Sequence, residues 1–364
     1  MGPSWPSAGP LRGGRVVTPA WQHRGERLLS GPGRWLAFPA WLLWRPLVEL
    51  RNSAYDHGWL PRRGLPTPVI SVGNLTLGGT GKTPVVAAVC AMLRAHGRHP
   101  AVLSRGYAGQ GGRNDEAEDS ADVVFCNPDR HRAGTQALAT GANCLVLDDG
   151  FQHRRLHRDL DLVCIDAGAP FGERLTDDPR HGAVFPLGRL REPVRALKRA
   201  TACIITRCDQ VAPERLRRLK AQLRHYQTPL FHCSHQAVAL SDLVTCAVRE
   251  SPESLAHRPV VLACGLGNPA AFVASARALG WQVLAIHRFP DHHRYRPQEL
   301  RLLEAQARRL DATLVVTSKD AAKLRHFSPD PSTRVLHVEA CFPADDQRQL
   351  TALLTQCCDR PGMI

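Results

Sequence analysis

The 364-residue chain has no apolar run approaching the roughly 20 residues that a helix needs to cross a bilayer, so no transmembrane span is read from it. Its twelve cysteines contain no C-x-x-C pair, which excludes the usual zinc ribbons and dithiol redox motifs. Only Cys357 and Cys358 are adjacent, and Cys144, Cys164, Cys203 and Cys264 fall inside apolar, strand-like runs. They read as reduced, buried side chains of a cytosolic protein. Residues 1–33 hold no apolar core long enough for a cleaved signal peptide. Rich in Gly, Pro and Arg, they are read as a flexible extension. Aromatic residues make up only 6% of the chain, yet six of the seven tryptophans lie before residue 65.

At about 150 residues per domain, this length suggests two or three domains, and 43% apolar residues are ample for their cores. The most informative stretch runs from Gly73 to Pro84, Gly-Asn-Leu-Thr-Leu-Gly-Gly-Thr-Gly-Lys-Thr-Pro. An apolar run, Pro68 to Val72, precedes it and the helix-compatible Val85 to Leu93 follows. Strand, glycine-rich turn and helix are the setting of a phosphate-binding loop. Thr76, Leu77, Gly78, Gly79, Thr80 and Gly81 form the loop, whose backbone N–H groups close around an anion. Lys82 reaches the β- and γ-phosphates, and the Thr83 hydroxyl is placed to ligate Mg²⁺. Thr76 stands where the first glycine of the usual pattern falls, and the paired glycines 78 and 79 compensate.

The net charge of +14 is unevenly spread. Residues 1–65 carry nine Arg against three acidic residues, together with Trp5, Trp21, Trp35, Trp41, Trp44 and Trp59. Arg and Trp together suit the headgroup region of an anionic membrane. The apolar segment Trp35 to Trp44 is ten residues long. Residues 34–65 are therefore read as a membrane-interface segment, the alternative being a buried core helix with a basic end. Pro39 and Pro46 are expected to interrupt the helix. Nucleic acid is not an expected partner, because these aromatics sit in an apolar run instead of alternating with basic residues.

Beyond the loop, short apolar runs alternate with helical stretches, the pattern of a parallel sheet covered on both faces. Strands are expected at 101–103, 123–126, 144–147, 160–165 and 202–206, then at 259–264, 282–286, 313–317 and 334–338. Helices are expected near 270–279, 297–310 and 345–356. The fold class is α/β, a P-loop NTPase-type parallel sheet domain over 66–232, a connector over 233–257, and a second, smaller α/β lobe over 258–364. Ligands in such sheets lie at the carboxyl ends of the strands.

There the run Cys144 to Leu147 ends in Asp148-Asp149-Gly150-Phe151-Gln152-His153. A strand ending in two carboxylates beside a phosphate loop is where Mg²⁺ is held. His153 and His157 lack a Glu or Cys set for zinc and read as polar surface or substrate contacts. Four more polar clusters sit where strands are expected to end: Ser104-Arg105-Gly106-Tyr107 after one strand, Asn114-Asp115-Glu116 in the loop beyond it, Leu190-Arg191-Glu192-Pro193 before a helix, and Phe289-Pro290-Asp291-His292-His293 ending a strand of the second lobe. Thr317-Ser318-Lys319-Asp320 reads equally as a base-reading loop or as a helix start with Asp in its first turn.

These residues resemble the tetraacyldisaccharide 4'-kinase family of the lipid A pathway. Further matches are Leu50-Arg51-Asn52, Tyr55-Asp56-His57-Gly58, Gly188-Arg189 and Gly265-Leu266-Gly267-Asn268-Pro269, and the resemblance runs from about Trp35 to the carboxyl-terminal helix. It implies transfer of the ATP γ-phosphate to the 4'-hydroxyl of a tetraacyldisaccharide 1-phosphate lipid at the cytoplasmic face of the inner membrane, with no obligate protein partner. Asp115 then corresponds to the catalytic carboxylate and His292 to the histidine that assists it. Lys82, Thr83, Asp148 and Asp149 match nucleotide and Mg²⁺ residues, with Glu192 added to the metal set. Arg105, Gln152, His153 and Arg191 line the acceptor side. Asn114 and Ala117 depart from the family pattern around Asp115. Lobe closure is expected to bring His292 to the base. A switch NTPase of the partition or metallochaperone type and a non-enzymatic nucleotide sensor are the competing classes.

Overall fold

A computed structural model of the chain describes residues 15–17, 36–105, 123–172, 183–245, 250–291 and 293–359. Two compact units divide it, one of residues 1–22 and 238–337 and one of residues 23–237 and 338–364. The first strand, β1 (Arg15–Val17), belongs to the smaller unit.

The larger unit opens with helix α1 (Phe38–Asp56), followed by β2 (Val69–Asn74), α2 (Lys82–Ala95), β3 (Pro100–Ser104), β4 (Val123–Cys126), α3 (Arg130–Ala139), β5 (Cys144–Asp148), β6 (Leu160–Asp166), β7 (Ala202–Thr206), α4 (Pro213–Arg224) and β8 (Leu230–His232). Its seven strands lie in the order β4-β3-β5-β2-β6-β7-β8, and every neighbouring pair is parallel. Parallel strands are covered on both faces, so they need continuous apolar runs instead of alternation. All six residues of β2 are buried. The strand order reverses at β2, which has β5 on one side and β6 on the other, and a ligand crevice is expected at such a switch point.

Helix α1 runs unbroken through both prolines, against the expected interruption. Pro39 lies in the first turn, where the missing N–H has no intrahelical partner anyway. Pro46 forgoes one bond to the Leu42 carbonyl on a stretch exposed enough for water to replace it. Its buried residues are Asn52 and Tyr55, while Leu42, Leu43, Trp44, Leu47 and Leu50 are exposed. The polar side is the one tied down. Asn52 donates to Glu192 at 2.8 Å, Arg154 donates to the Asn52 carbonyl at 2.9 Å and pairs with Asp56 at 2.6 Å, and Arg51 donates to the Gln152 carbonyl at 3.0 Å.

The smaller unit is built on β9 (Ser234–Asp242), β10 (Pro259–Cys264), α5 (Pro269–Ala278), β11 (Gln282–Arg288), α6 (Pro297–Arg309), β12 (Thr313–Thr317), α7 (Ser318–Leu324) and β13 (Arg334–Cys341). The sheet order is β1-β11-β10-β12-β13-β9, with β1 pairing in parallel with β11 through Arg15↔Ala285 to Val17↔His287. Three residues of the segment read as a flexible extension are thus a strand. The segment read as a connector contains β9, a nine-residue strand. The dividing points between units fall inside β9, after Ala237, and inside β13, after His337.

The last helix, α8 (Ala344–Asp359), belongs to the larger unit instead of the second lobe to which chain order assigned it. Leu350, Leu354, Cys357 and Cys358 are buried against Val86, Val89 and Leu93 of α2 and against strand residues such as Ile70. At its amino end Asp346 accepts from both the backbone N–H and the ring of His232, each at 2.6 Å. A carboxylate in a first helical turn is favoured by the helix dipole, which gives this docking a polar anchor as well as an apolar face.

Candidate active site

Between β2 and α2 the chain makes the glycine-rich turn. Gly81 caps α2 in the left-handed region (φ +78°), so Lys82 and Thr83 begin the helix and the loop's N–H groups stand at its positive end. Gly73 is required for a different reason. A Cβ there would lie 2.5 Å from Cβ of Phe151, so only glycine lets β2 pass the segment that follows β5. Register sets the rest, since Val72 pairs with Asp148 and the end of β5 therefore lies beside the loop.

Asp149, itself left-handed (φ +56°), is the electrostatic centre. Lys82 Nζ lies 3.4 Å from its Oδ1, and Arg191 Nη1 donates to both carboxylate oxygens at 2.8 and 2.7 Å. Burial raises the carboxyl pKa, but the Lys82 and Arg191 charges outweigh it and hold Asp149 below the ordinary carboxylate range. The group is ionised at neutral pH. Arg191 arrives by backbone pairing: Thr76 bridges Leu190, Leu77 N–H donates to the Arg189 carbonyl at 2.7 Å, and Arg191 N–H donates to the Leu75 carbonyl at 2.7 Å. The Leu77 N–H is therefore spent on this ladder. Gln152 adds a cross-tie, donating to the Asn74 carbonyl at 2.9 Å.

The structure thus brings together Lys82, Asp149, Gln152 and Arg191, with Asp148 closing β5 and Thr83 exposed on the first turn of α2. Glu192 is 1% exposed, and its Oε2 accepts from Asn52 and from Arg199, each at 2.8 Å. Through Asn52 and the Arg199 guanidinium this buried carboxylate ties the site to α1. Burial, then the charges of Arg130 and Arg158, lower the His153 pKa to about 4 and keep the ring neutral. Arg105 is exposed just past β3. Asp115 and His292 lie outside the described residues. The flanks of His292 are visible in the smaller unit, where Lys319 pairs with Asp291 at 2.8 Å and Phe289, His293 and Tyr295 pack as a ring cluster.

The segment Thr317 to Asp320 is a helix start. Thr317 caps α7 by accepting from Asp320 N–H, and Asp320, fully buried, accepts from Gly265 N–H, Thr317 Oγ1 and Tyr295 Oη at 3.0, 2.7 and 3.0 Å. Burial and Asp320 together push the Tyr295 hydroxyl well above its usual pKa.

Sequence reasoning passed over Thr206, Arg207, His235 and Asp166, which are buried behind the glycine-rich turn. The signal available was a Thr-Arg pair directly after the apolar run Ala202 to Ile205. As donor chemistry for a cation, a serine- or threonine-type hydroxyl and one or two carboxylates suit Mg²⁺, which takes few protein oxygens and completes its shell with phosphates and water. No cluster of three or more His, Cys, Asp or Glu for another metal occurs among the described residues.

Replacing Arg191 by Gln removes one of the two cations at Asp149, and its carboxyl titration, followed by carbon NMR, is expected to move up toward the ordinary range. Asp149 contributes stability above the unfolded-state pKa of about 3.9, and that contribution is lost as pH falls through its lower folded value, so Arg191→Gln moves the loss to higher pH. An unmoved titration would show that Arg191 does not set this charge.

Comparison with known proteins shows the family. The family model described as tetraacyldisaccharide-1-P 4'-kinase matches residues 33–358. A tetraacyldisaccharide 4'-kinase of Anaeromyxobacter dehalogenans (strain 2CP-1 / ATCC BAA-258) is 40% identical over 77% of this chain and 78% of its own length. One from Halorhodospira halophila is 33% identical over 92% of this chain and 100% of its own. The crystal structure of Aquifex aeolicus LpxK in complex with ATP superposes with a TM-score of 0.67 at 26% identity, covering 89% of this chain and 99% of that one. With its α/β fold and phosphate loop, the chain belongs to the tetraacyldisaccharide-1-P 4'-kinase family.

Proposed function

We propose that this protein transfers the γ-phosphate of ATP to the 4'-hydroxyl of a tetraacylated disaccharide 1-phosphate, in lipid A biosynthesis. The observation that carries the reading is the Lys82–Asp149–Arg191 constellation, set by backbone pairing at the mouth of a phosphate loop. Phosphoryl transfer leaves a protein mainly the work of positioning and charge neutralisation. N–H groups of residues 78–81 and the α2 terminus receive the phosphates, and Lys82 neutralises charge on the transferred group. Thr83, Asp148 and Asp149 would hold Mg²⁺, which when bound offsets phosphate charge. Arg191 keeps Asp149 ionised, and Gln152, His153 and Arg105 face the acceptor. By motif match, Asp115 accepts the sugar hydroxyl proton and His292 orients it.

The acceptor is a lipid, and α1 suits a membrane surface. Leu43, Trp44, Leu47 and Leu50 are 73%, 48%, 57% and 61% exposed, an apolar patch that a protein facing only water would not leave open. Trp41 is half-buried against the core and so takes less part. No helix among the described residues is long and apolar enough to cross a membrane. We place α1 in the interface of the cytoplasmic leaflet, bound by apolar area and by arginines at its edge.

Incubated with Mg-ATP and the disaccharide lipid, the purified protein is expected to give a product one phosphate heavier by mass spectrometry. Lys82→Ala should give none, and Asp115→Ala a rate lower by roughly 10²- to 10⁴-fold. Hydrolysis of ATP without a heavier lipid would identify a switch NTPase instead. In a flotation assay with anionic vesicles, replacing Leu43, Trp44 and Leu47 by Ser should move the protein to the soluble fraction. Unchanged flotation would contradict the membrane role of α1.

A further inference from the structure

A trans peptide points its C=O and the following N–H in opposite directions, so fixing a carbonyl oxygen fixes where the next N–H aims. In the glycine-rich turn two consecutive carbonyls are held from behind. Thr206 Oγ1 donates to the Thr80 carbonyl at 2.8 Å, and Arg207 Nη2 donates to the Gly79 carbonyl at 3.0 Å. The N–H groups on the far sides of those peptides belong to Gly81 and Thr80, both in the anion-binding stretch. Next to them the His235 ring closes on Gly81 so tightly that a Cβ there would lie 2.0 Å from its Cε1.

The supports are themselves anchored. Arg207 pairs with Asp166 at the end of β6, and Asp166 also accepts from Gly168 N–H at 2.9 Å. Thr206, Arg207 and His235 are 0%, 8% and 7% exposed. Arg207 adopts the left-handed region (φ +57°), an unfavourable conformation for a side chain of its size that surrounding contacts must maintain. Burying a guanidinium in a strained turn is costly, and what it gains beyond its ion pair is the grip on the loop.

We propose that Thr206, Arg207 and His235 are positioning residues that brace the phosphate loop from behind, aiming the Thr80 and Gly81 N–H groups at the nucleotide's phosphates. The brace rests on the nucleotide-binding reading above. It acts on the loop and not on the acceptor, so its loss shows in the nucleotide terms.

The test is the affinity for Mg-ATP by isothermal titration, with KM for ATP and for the lipid, in Thr206→Val, Arg207→Met and His235→Ala. Each variant is expected to raise Kd and KM for ATP by roughly 5- to 50-fold, the range for losing one buried hydrogen bond or contact, while KM for the lipid stays within about twofold. Thr206→Ser, which keeps the donor, should restore wild-type affinity, and Arg207→Lys should restore part of it. A side chain needed only for folding would lower the melting temperature without this selective change. If Arg207→Met does not fold, Thr206→Val and its serine counterpart carry the test. Folded Val, Met and Ala variants that bind Mg-ATP as the wild type does would overturn the brace alone. Failure of the wild type itself to bind Mg-ATP would overturn the nucleotide reading beneath it.

Discussion

One carboxylate organises the candidate site. Asp149 lies within reach of Lys82 and takes both oxygens' worth of hydrogen bonding from Arg191, in a partly buried setting where an unpaired charge would be expensive. Lys82 and Arg191 carry two charges against the one on Asp149, which leaves these three groups with a positive excess beside the positive end of α2. An entering polyanion completes the balance. Much of the architecture serves to deliver these three groups: the β2–β5 register sets Asp149, the loop's helix cap sets Lys82, and the ladder from Thr76 to Arg191 sets the third.

That ladder also links the site to helix α1. Glu192 follows Arg191 directly and binds Asn52, while Arg51 holds the Gln152 carbonyl and Arg154 holds both Asn52 and Asp56. The helix is therefore fixed to the larger unit through its polar side, which leaves its apolar residues facing outward. This inversion of ordinary helix amphipathicity gives the membrane proposal its physical content, because Leu43, Trp44, Leu47 and Leu50 are left exposed.

The parallel sheet was legible because buried strands need unbroken apolar runs, and Val69–Asn74, Cys144–Asp148 and Ala202–Thr206 supply them. The phosphate loop was legible because its chemistry is local: glycines, lysine and threonine in one turn. What escaped is set by contacts distant in sequence. Helix α8 reads as an ordinary carboxyl-terminal helix, and nothing local says that Leu350 and Leu354 pack on α2. Glu192 reads as part of the metal set, and nothing local announces its tie to Asn52 of α1. Strand β8 spans three residues, too few for a periodic signal, and β9 mixes buried and exposed positions without strict alternation. Thr206 and His235 carry no motif at all, since their importance lies in which carbonyl and which glycine they meet.

The central claim is that Asp149 and its two cations are arranged for a metal-bound triphosphate. Titrating ATP into the protein at a series of Mg²⁺ concentrations, for the wild type and for Asp149→Asn, tests it most directly. Affinity that rises with Mg²⁺ in the wild type and loses most of that dependence in Asp149→Asn is the expected result. Equal Mg²⁺ dependence in the two proteins would contradict the account.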